Sequence, residues 1–378
     1  MLRMRAIWPW LLAVGGLALL VLAFALRPAE AASAARQNWS PFVLVAGLLL
    51  IGLVADADGV FRAAGAWLAT AARSSVVLFA GACLLTGLTT ALLNLDTSVA
   101  FLTPVFVYVA KSRATRAVSL LIVSILLSNA ASLFLPGSNL TNLIVLGDRH
   151  VTGASFFAHM WLPALCAMVV TALVVALAQG ELSATTTVVL APARGPSFRL
   201  GLVATVVAAL VVLVVPSPAI PVAVVGVLAM AVRLAQHEAR LDHVLETLGF
   251  PVLVGLFGVA VGLGTLGRAW SGPSALLAHL DPWGTAALGG VAAVAVNNLP
   301  AASLLSAHAP KHLYSLLIGL NLGPNALVTG SLAWVLWLKA ARTAGAHPPL
   351  ARAIRIGLVA APLSIVVAVG ALLLTGSS

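Results

Sequence analysis

Four short polar clusters stand inside otherwise apolar sequence: Asn94-Leu95-Asp96-Thr97-Ser98, Pro136-Gly137-Ser138-Asn139-Leu140-Thr141-Asn142, Asn297-Asn298-Leu299-Pro300, and the stretch from Gly323 to Ser331 (GPNALVTGS). Carboxamides and hydroxyls are neutral donors and acceptors, able to replace the hydration shell of a small anion or hydroxylated solute. The candidate substrate-binding residues are therefore Asn94, Thr97, Ser138, Asn139, Thr141, Asn142, Asn297, Asn298, Asn325, Thr329 and Ser331, with Asn129, Ser132 and Asn321 on the approaches. Each cluster differs from an isolated Ser124 or Thr171, which reads as packing glue between helices. Asp96 is the one acidic residue expected deep in apolar surroundings, where an ionised carboxylate must be protonated part of the time, paired with a cation or hydrated. It is the candidate proton or cation coupler. Followed by Thr97 and Ser98, it also fits the N-cap of a following half-helix.

The absences exclude other chemistry. Walker A, HExxH and GxSxG sequences do not occur, so no motif points to an enzyme. Cys83 and Cys166 are far apart in apolar runs and offer neither a disulfide framework nor metal spacing. The histidines, including His237, His243, His308 and His312, are expected in loops. No metal and no cofactor is expected beyond a coupling H⁺ or Na⁺. No Lys or Arg falls in an apolar core, so an anion would be held by amides, hydroxyls, helix dipoles and co-bound cations.

The elements carrying these clusters are set by hydrophobicity. The chain of 378 residues is 61% hydrophobic and 8% charged, with mean hydropathy +1.11, which no water-facing surface of this size tolerates. Apolar runs of the roughly 20 residues needed to cross a bilayer recur throughout, without the strict alternation of a barrel. The net charge of +10 does not point to nucleic acid, because the basic residues are scattered between the runs.

The chain reads as an all-α polytopic membrane protein. Full spans are expected near 7–26, 41–58, 115–146, 158–178, 199–215, 219–233, 249–266, 313–338 and 353–374. Two broken stretches, 74–110 and 284–308, read as re-entrant hairpins with tips at mid-membrane. The spans 115–146 and 313–338 are themselves broken where Pro and Gly interrupt the helix.

With the N-terminus cytoplasmic and both broken stretches as hairpins, most Lys and Arg fall on the cytoplasmic side, including Arg62, Arg73, the triad Lys111, Arg113 and Arg116, Lys339 and Arg342. Arg27, Arg36, Arg149, Arg268 and Lys311 remain outside, as does the C-terminus. Residues 1–35 fit either a retained span or a cleavable signal peptide, and the length of the apolar stretch favours the span. Residues 92–98 recur loosely at 295–301, and PGS at 136–138 recurs as TGS at 329–331. The organisation is thus 1–178 as a first repeat, 179–218 as a linker with span 199–215, and 219–378 as a second repeat in inverted orientation. Inverted repeats with interrupted helices meeting at the midplane are a signature of secondary transporters.

LLNLDTSVAFLTPVFV at 92–107, SNAASLFLPGSNLTNLIV at 128–145, VNNLPAASLL at 296–305 and LGPNALVTGSLAWVLWL at 322–338 together resemble the arsenite/antimonite efflux permease family. That family sits in the ion transporter superfamily with the sodium-coupled dicarboxylate and divalent-anion symporters. Leu95 stands where the family's first hairpin usually has a second Asn, and Asn129-Ala130-Ala131-Ser132 where it usually has Asp-Thr-Ala-Ser. The resemblance implies the ion transporter fold of scaffold and transport domains, a homodimer, and exchange of arsenite or antimonite for protons in the inner membrane. The other readings are a sodium- or proton-coupled symporter of a small inorganic or carboxylate anion, and the membrane subunit of a pump driven by a soluble ATPase.

Overall fold

In lipid every backbone polar group must be bonded within its own segment, so charge-free runs of Leu, Val and Ala become helices. The computed structural model describes residues 2–112, 117–147, 149, 151–179, 200–237 and 239–376, which hold helices and no strand. Long helices α1 (Leu2–Leu26) and α2 (Pro28–Ala57) lead to a short α3 (Val60–Ala71). The pair α4 (Ser75–Leu92) and α5 (Leu95–Ser112) follows. Next comes a broken helix, α6 (Val118–Ala131), a 3-10 turn at Pro136–Ser138 and α7 (Leu140–Leu146), and then the long α8 (Gly153–Gln179).

The helices α9 (Leu200–Val214), α10 (Ala219–Ala235) and α11 (Leu241–Leu248) connect to a second run in the same order. That run is the long α12 (Phe250–Ala269), the short α13 (Gly272–His279), the pair α14 (Pro282–Val296) and α15 (Asn298–Leu305), and another broken helix. The latter consists of α16 (Leu313–Leu322), 3-10 turns at Gly323–Asn325 and Val328–Gly330, and α17 (Ala333–Thr343). The run closes on the long α18 (Leu350–Leu374). Both α8 and α18 carry a proline inside, Pro163 and Pro362, and they pack on each other. Six described stretches, in α1, α2, α4, α8, α11–α12 and α18, are long and apolar enough to cross a membrane.

Close helix contacts depend on residues without side chains. A Cβ on Gly16 of α1 would lie 2.1 Å from the Gly255 carbonyl oxygen of α12, and one on Gly258 would lie 2.1 Å from the Gly16 oxygen. Gly47 of α2 meets Ala223 of α10 in the same way. Such interfaces replace the hydrophobic drive that is missing between helices in lipid. Thus α1 packs on α12 and α10 on α2, each leading helix resting on the other run. Every residue of α6 but Val118 is buried, and every residue of α16 but Tyr314, because both sit at the centre of the bundle.

Several boundaries differ from expectation. Helix α2 begins at Pro28 rather than near 41, because Arg27 alone separates it from α1 and its polar first turns reach the solvent end. Helix α17 continues to Thr343 rather than 338, since the long stems of Lys339 and Arg342 let a membrane helix end in charge. Each arm of the first pair has 18 residues, about 27 Å of helix, against about 15 Å from the edge to the middle of a 30 Å core. Its arms therefore tilt or start outside the hydrocarbon. His243 and His279 lie in the short α11 and α13 and His159 in α8, not in loops. Arg113 and Arg116 of the basic triad, and most of the 179–198 loop, lie outside the described residues.

Candidate functional site

Each polar cluster does one local job in common: it caps the half-helix that follows. Thr97 N donates to Asn94 Oδ1 at 2.7 Å at the start of α5, and Thr141 N donates to Asn139 Oδ1 at 3.1 Å at the start of α7. Leu299 N donates to Asn297 Oδ1 at 3.4 Å before α15, and Ala333 N to Ser331 Oγ at 3.2 Å before α17. The first four N–H groups of a helix have no partner within it, and these side chains answer one of them in each case. The cap of α5 is therefore Asn94 and not Asp96, which lies in the first turn. Asn297 holds a positive φ of 82° with ψ of 147° to do the same for α15, outside the left-handed helical region.

A second set of contacts ties the two broken helices together. Asn321 Oδ1 accepts from Ser132 Oγ and Asn139 Nδ2, both at 2.7 Å, while its Nδ2 donates to Asn142 Oδ1 and the Leu317 carbonyl, both at 2.8 Å. Asn142 Nδ2 donates to the carbonyls of Ser132 and Leu135, which the break has released from the helix. Asn129 donates to Asn325 Oδ1 at 2.9 Å, and Asn325 Nδ2 to the Leu126 carbonyl at 3.1 Å. Both polar atoms of Asn321, Asn325 and Asn142 are engaged in protein contacts. These three hold the breaks in place, and Asn129, Ser132 and Asn321 belong to the same frame. Asn297 Nδ2 and Thr329 Oγ1 likewise cross-link α14, α15 and the Val328–Gly330 turn through the carbonyls of Thr329 and Val294. Ser138 donates to the Ala91 carbonyl at 3.2 Å, joining the first break to the first helical pair. Asn298 is buried at the start of α15.

Unused capacity remains in this frame at Asn129 Oδ1 and also at other buried groups. Asn94 Nδ2, Thr97 Oγ1 and Thr141 Oγ1 are buried and have no hydrogen-bond partner among the described residues. A buried polar group without a partner costs about 1–3 kcal/mol, and these three stand at the cap or in the first turn of α5 and α7. None of the three lines the cavity of about 2220 Å³ that their chain neighbours Asp96 and Leu140 reach. Asp96 from the first turn of α5, Leu140 from the first residue of α7 and Leu332 at the start of α17 all line it. Helix N-termini carry partial positive charge and free N–H groups, so this convergence favours an anion. Towards its mouth the cavity is lined by Arg62, Lys339 and Arg342 together with Asp56 and Glu246. Of the predicted site residues only Asp96 lines this cavity; Asn94, Thr97, Ser138, Asn139, Thr141, Asn142, Asn297, Asn298, Asn325, Thr329 and Ser331 do not. The four clusters are thus not gathered into one pocket.

A second buried carboxylate escaped the sequence. Asp58, just past the end of α2, is 1% exposed at its side chain and pairs with Arg233 of α10 at 2.5 Å. Its other oxygen accepts from Gly201 N at 2.7 Å, capping α9. At the edge of an apolar run it looks like a loop residue. The one available signal is its pairing with Arg233, which sits in the last turn of a span.

A polytopic helical bundle with two broken helices, whose half-helices reach a large cavity, has the build of a membrane transporter. The chain belongs to the citrate transporter family (CitMHS), which matches residues 2–338. Among solved structures it is similar to the YdaH transporter of Alcanivorax borkumensis, described as having an unusual topology, at 18% identity over 90% of this chain and 86% of that one, with a TM-score of 0.56. At that identity the likeness shows the fold. No curated protein matches the chain. The family match names citrate rather than arsenite, while the expected fold class of a polytopic helical transporter stands.

Proposed function

We propose that the protein is a secondary active transporter of a small carboxylate anion of the citrate class, driven by a proton or cation taken up at Asp96. The observation that carries this reading is the convergence of the α5, α7 and α17 N-termini on a cavity that also holds the Asp96 carboxylate. Helix ends and the mouth residues Arg62, Lys339 and Arg342 attract an anion, whereas an ionised Asp96 repels it. A proton or cation at Asp96 removes that repulsion, which couples the two binding events. Asn94, Thr97 and Thr141 hold unused buried donors next in the chain to the segments that carry the cavity-lining Asp96 and Leu140. Family membership supports the carboxylate over arsenite. The excess of Lys and Arg supports a cavity mouth on the cytoplasmic side of the inner membrane, and the two matching runs of elements support a reading as inverted repeats.

The test is uptake by the purified protein in liposomes, without any ATPase, of labelled citrate, other di- and tricarboxylates, phosphate, sulfate and arsenite under imposed proton or sodium gradients. Accumulation of a carboxylate only in the presence of a gradient is the expected result. Movement of arsenite with no carboxylate would return the substrate to the arsenite/antimonite class, and a strict need for an added ATPase would overturn secondary transport.

A further inference from the structure

A smaller cavity of about 260 Å³ opens beside the first half of α2. Its position follows from that helix. The large cavity is lined by α2 from Val45 to Ala57, and the small one from Arg36 to Leu44. Arg36 and Ala57 are 21 residues apart in one helix, about 30 Å at 1.5 Å per residue, which matches the thickness of a hydrocarbon core. The two mouths therefore lie on opposite faces of the membrane. Their inner ends nearly meet. On the broken helix the small cavity is lined by Pro136, Leu143, Leu146 and Gly147 and the large one by Leu140, so the segment 136–147 is a wall shared by the two.

The charged side chains among the described lining residues of the small cavity are of one sign. Arg36 and Arg149 line it, with the hydroxyls of Ser40 and Ser217, and no described lining residue is acidic. Arg36 contacts only the neutral Ser33 hydroxyl at 3.5 Å, and neither arginine has an ion pair among the described residues. Gln37 is a wall rather than a ligand, because its amide donates to the Ile144 and Ser306 carbonyls and its oxygen accepts from Arg268. Guanidinium forks match carboxylates geometrically, and the volume lies at the small end of ligand pockets, below the usual range of about 300–1,000 Å³.

We propose that this cavity is a loading site for the carboxylate groups of the transported anion, held between Arg36 and Arg149 on the face opposite the large cavity. The identity of the anion rests on the proposed function. The site itself rests on the two arginines and the cavity. An anion bound there stands one wall, the segment 136–147, from the large cavity, so it is concentrated where the next opening of that wall can admit it.

The experiment uses the full chain with Cys83 and Cys166 replaced by Ala and a single reporter, Ser217→Cys, in nanodiscs of phosphatidylcholine. Citrate is expected to slow maleimide labelling of the reporter, less so at high salt. Arg36→Gln and Arg149→Gln should each raise the protecting concentration about tenfold, while Arg36→Lys restores much of it. Both arginines are exposed, so folding of these variants is not at risk. Equal protection in all variants, or none at citrate concentrations that saturate uptake, would overturn the proposal. Protection by phosphatidylglycerol in the disc and not by citrate would overturn it in favour of a lipid headgroup. Citrate uptake is measured in parallel. Uptake without protection rejects the loading site alone, whereas protection without gradient-driven uptake rejects the transport reading and leaves the site.

Discussion

Asparagine is the residue on which this protein depends most, and it serves in two ways that the one-letter code does not separate. At 94, 139 and 297 it caps a half-helix, and at 321, 325 and 142 it bonds one broken helix to another or holds its own break. Replacing Asn321 by Ala would leave Ser132 and Asn139 without their acceptor and Asn142 without its donor. At about 0.6–1.7 kcal/mol per interhelical bond in a membrane protein, the expected loss is about 2 kcal/mol. It would appear as a lowered unfolding midpoint in detergent, with residual transport in the surviving folded fraction. Asp96→Asn should behave in the opposite way. Asn94 still caps α5, so the unfolding midpoint should stay within the error of measurement. The amide binds no proton, so gradient-driven accumulation and its pH dependence should vanish while exchange of substrate down its gradient persists. Wild-type pH dependence of accumulation in the Asn variant would remove Asp96 from the coupling step.

Between elements, close contact is set by glycine and by one ion pair. A Cβ on Gly52 of α2 would lie 2.5 Å from Thr97 Cγ2 and 3.2 Å from Phe101 Cε2, both on α5. Gly52→Val should therefore push the tip of the first hairpin away from α2 and slow transport at least tenfold. Insertion in the membrane should continue at normal levels, which quantitative blotting of membrane fractions would check. Normal uptake in this variant would show that the contact is dispensable. Asp58 joins α2, α9 and α10 through Arg233 and Gly201. Removing one member of a buried pair leaves an uncompensated charge, a loss of about 3–5 kcal/mol. Arg233→Ala should thus unfold at markedly lower temperature than Arg240→Ala, whose exposed pair with Asp242 is worth about 1 kcal/mol or less.

For the whole molecule, the prediction concerns access. The large cavity links the mouth at Arg62, Lys339 and Arg342 to the first hairpin tip. Ala100, which lines it one turn beyond Asp96, should react as a cysteine with membrane-impermeant thiol reagents from the face bearing Lys339 and be protected by transported carboxylate. Reaction from the opposite face alone would reverse the orientation inferred from the basic loops.

Composition alone settled the class, because a chain with so few charges and repeated 20-residue apolar runs has no stable soluble form. Helix breakers next to amides and hydroxyls located the breaks at 136–142 and 323–331, since Pro and Gly act locally and carry their signal in the neighbouring residues. Which asparagine caps, which one cross-links and which donors stay unused were decided by tertiary structure. Asn321 and Asn142 are 179 positions apart in the chain, and only packing of α16 against α7 brings them together. The same holds for Asp58 and Arg233, for the two arginines of the small cavity, and for the exclusion of Asn297 and Thr329 from the cavity that holds Asp96. Each is a relation between elements distant in sequence, and a pattern read along one chain carries no measure of distance across the bundle.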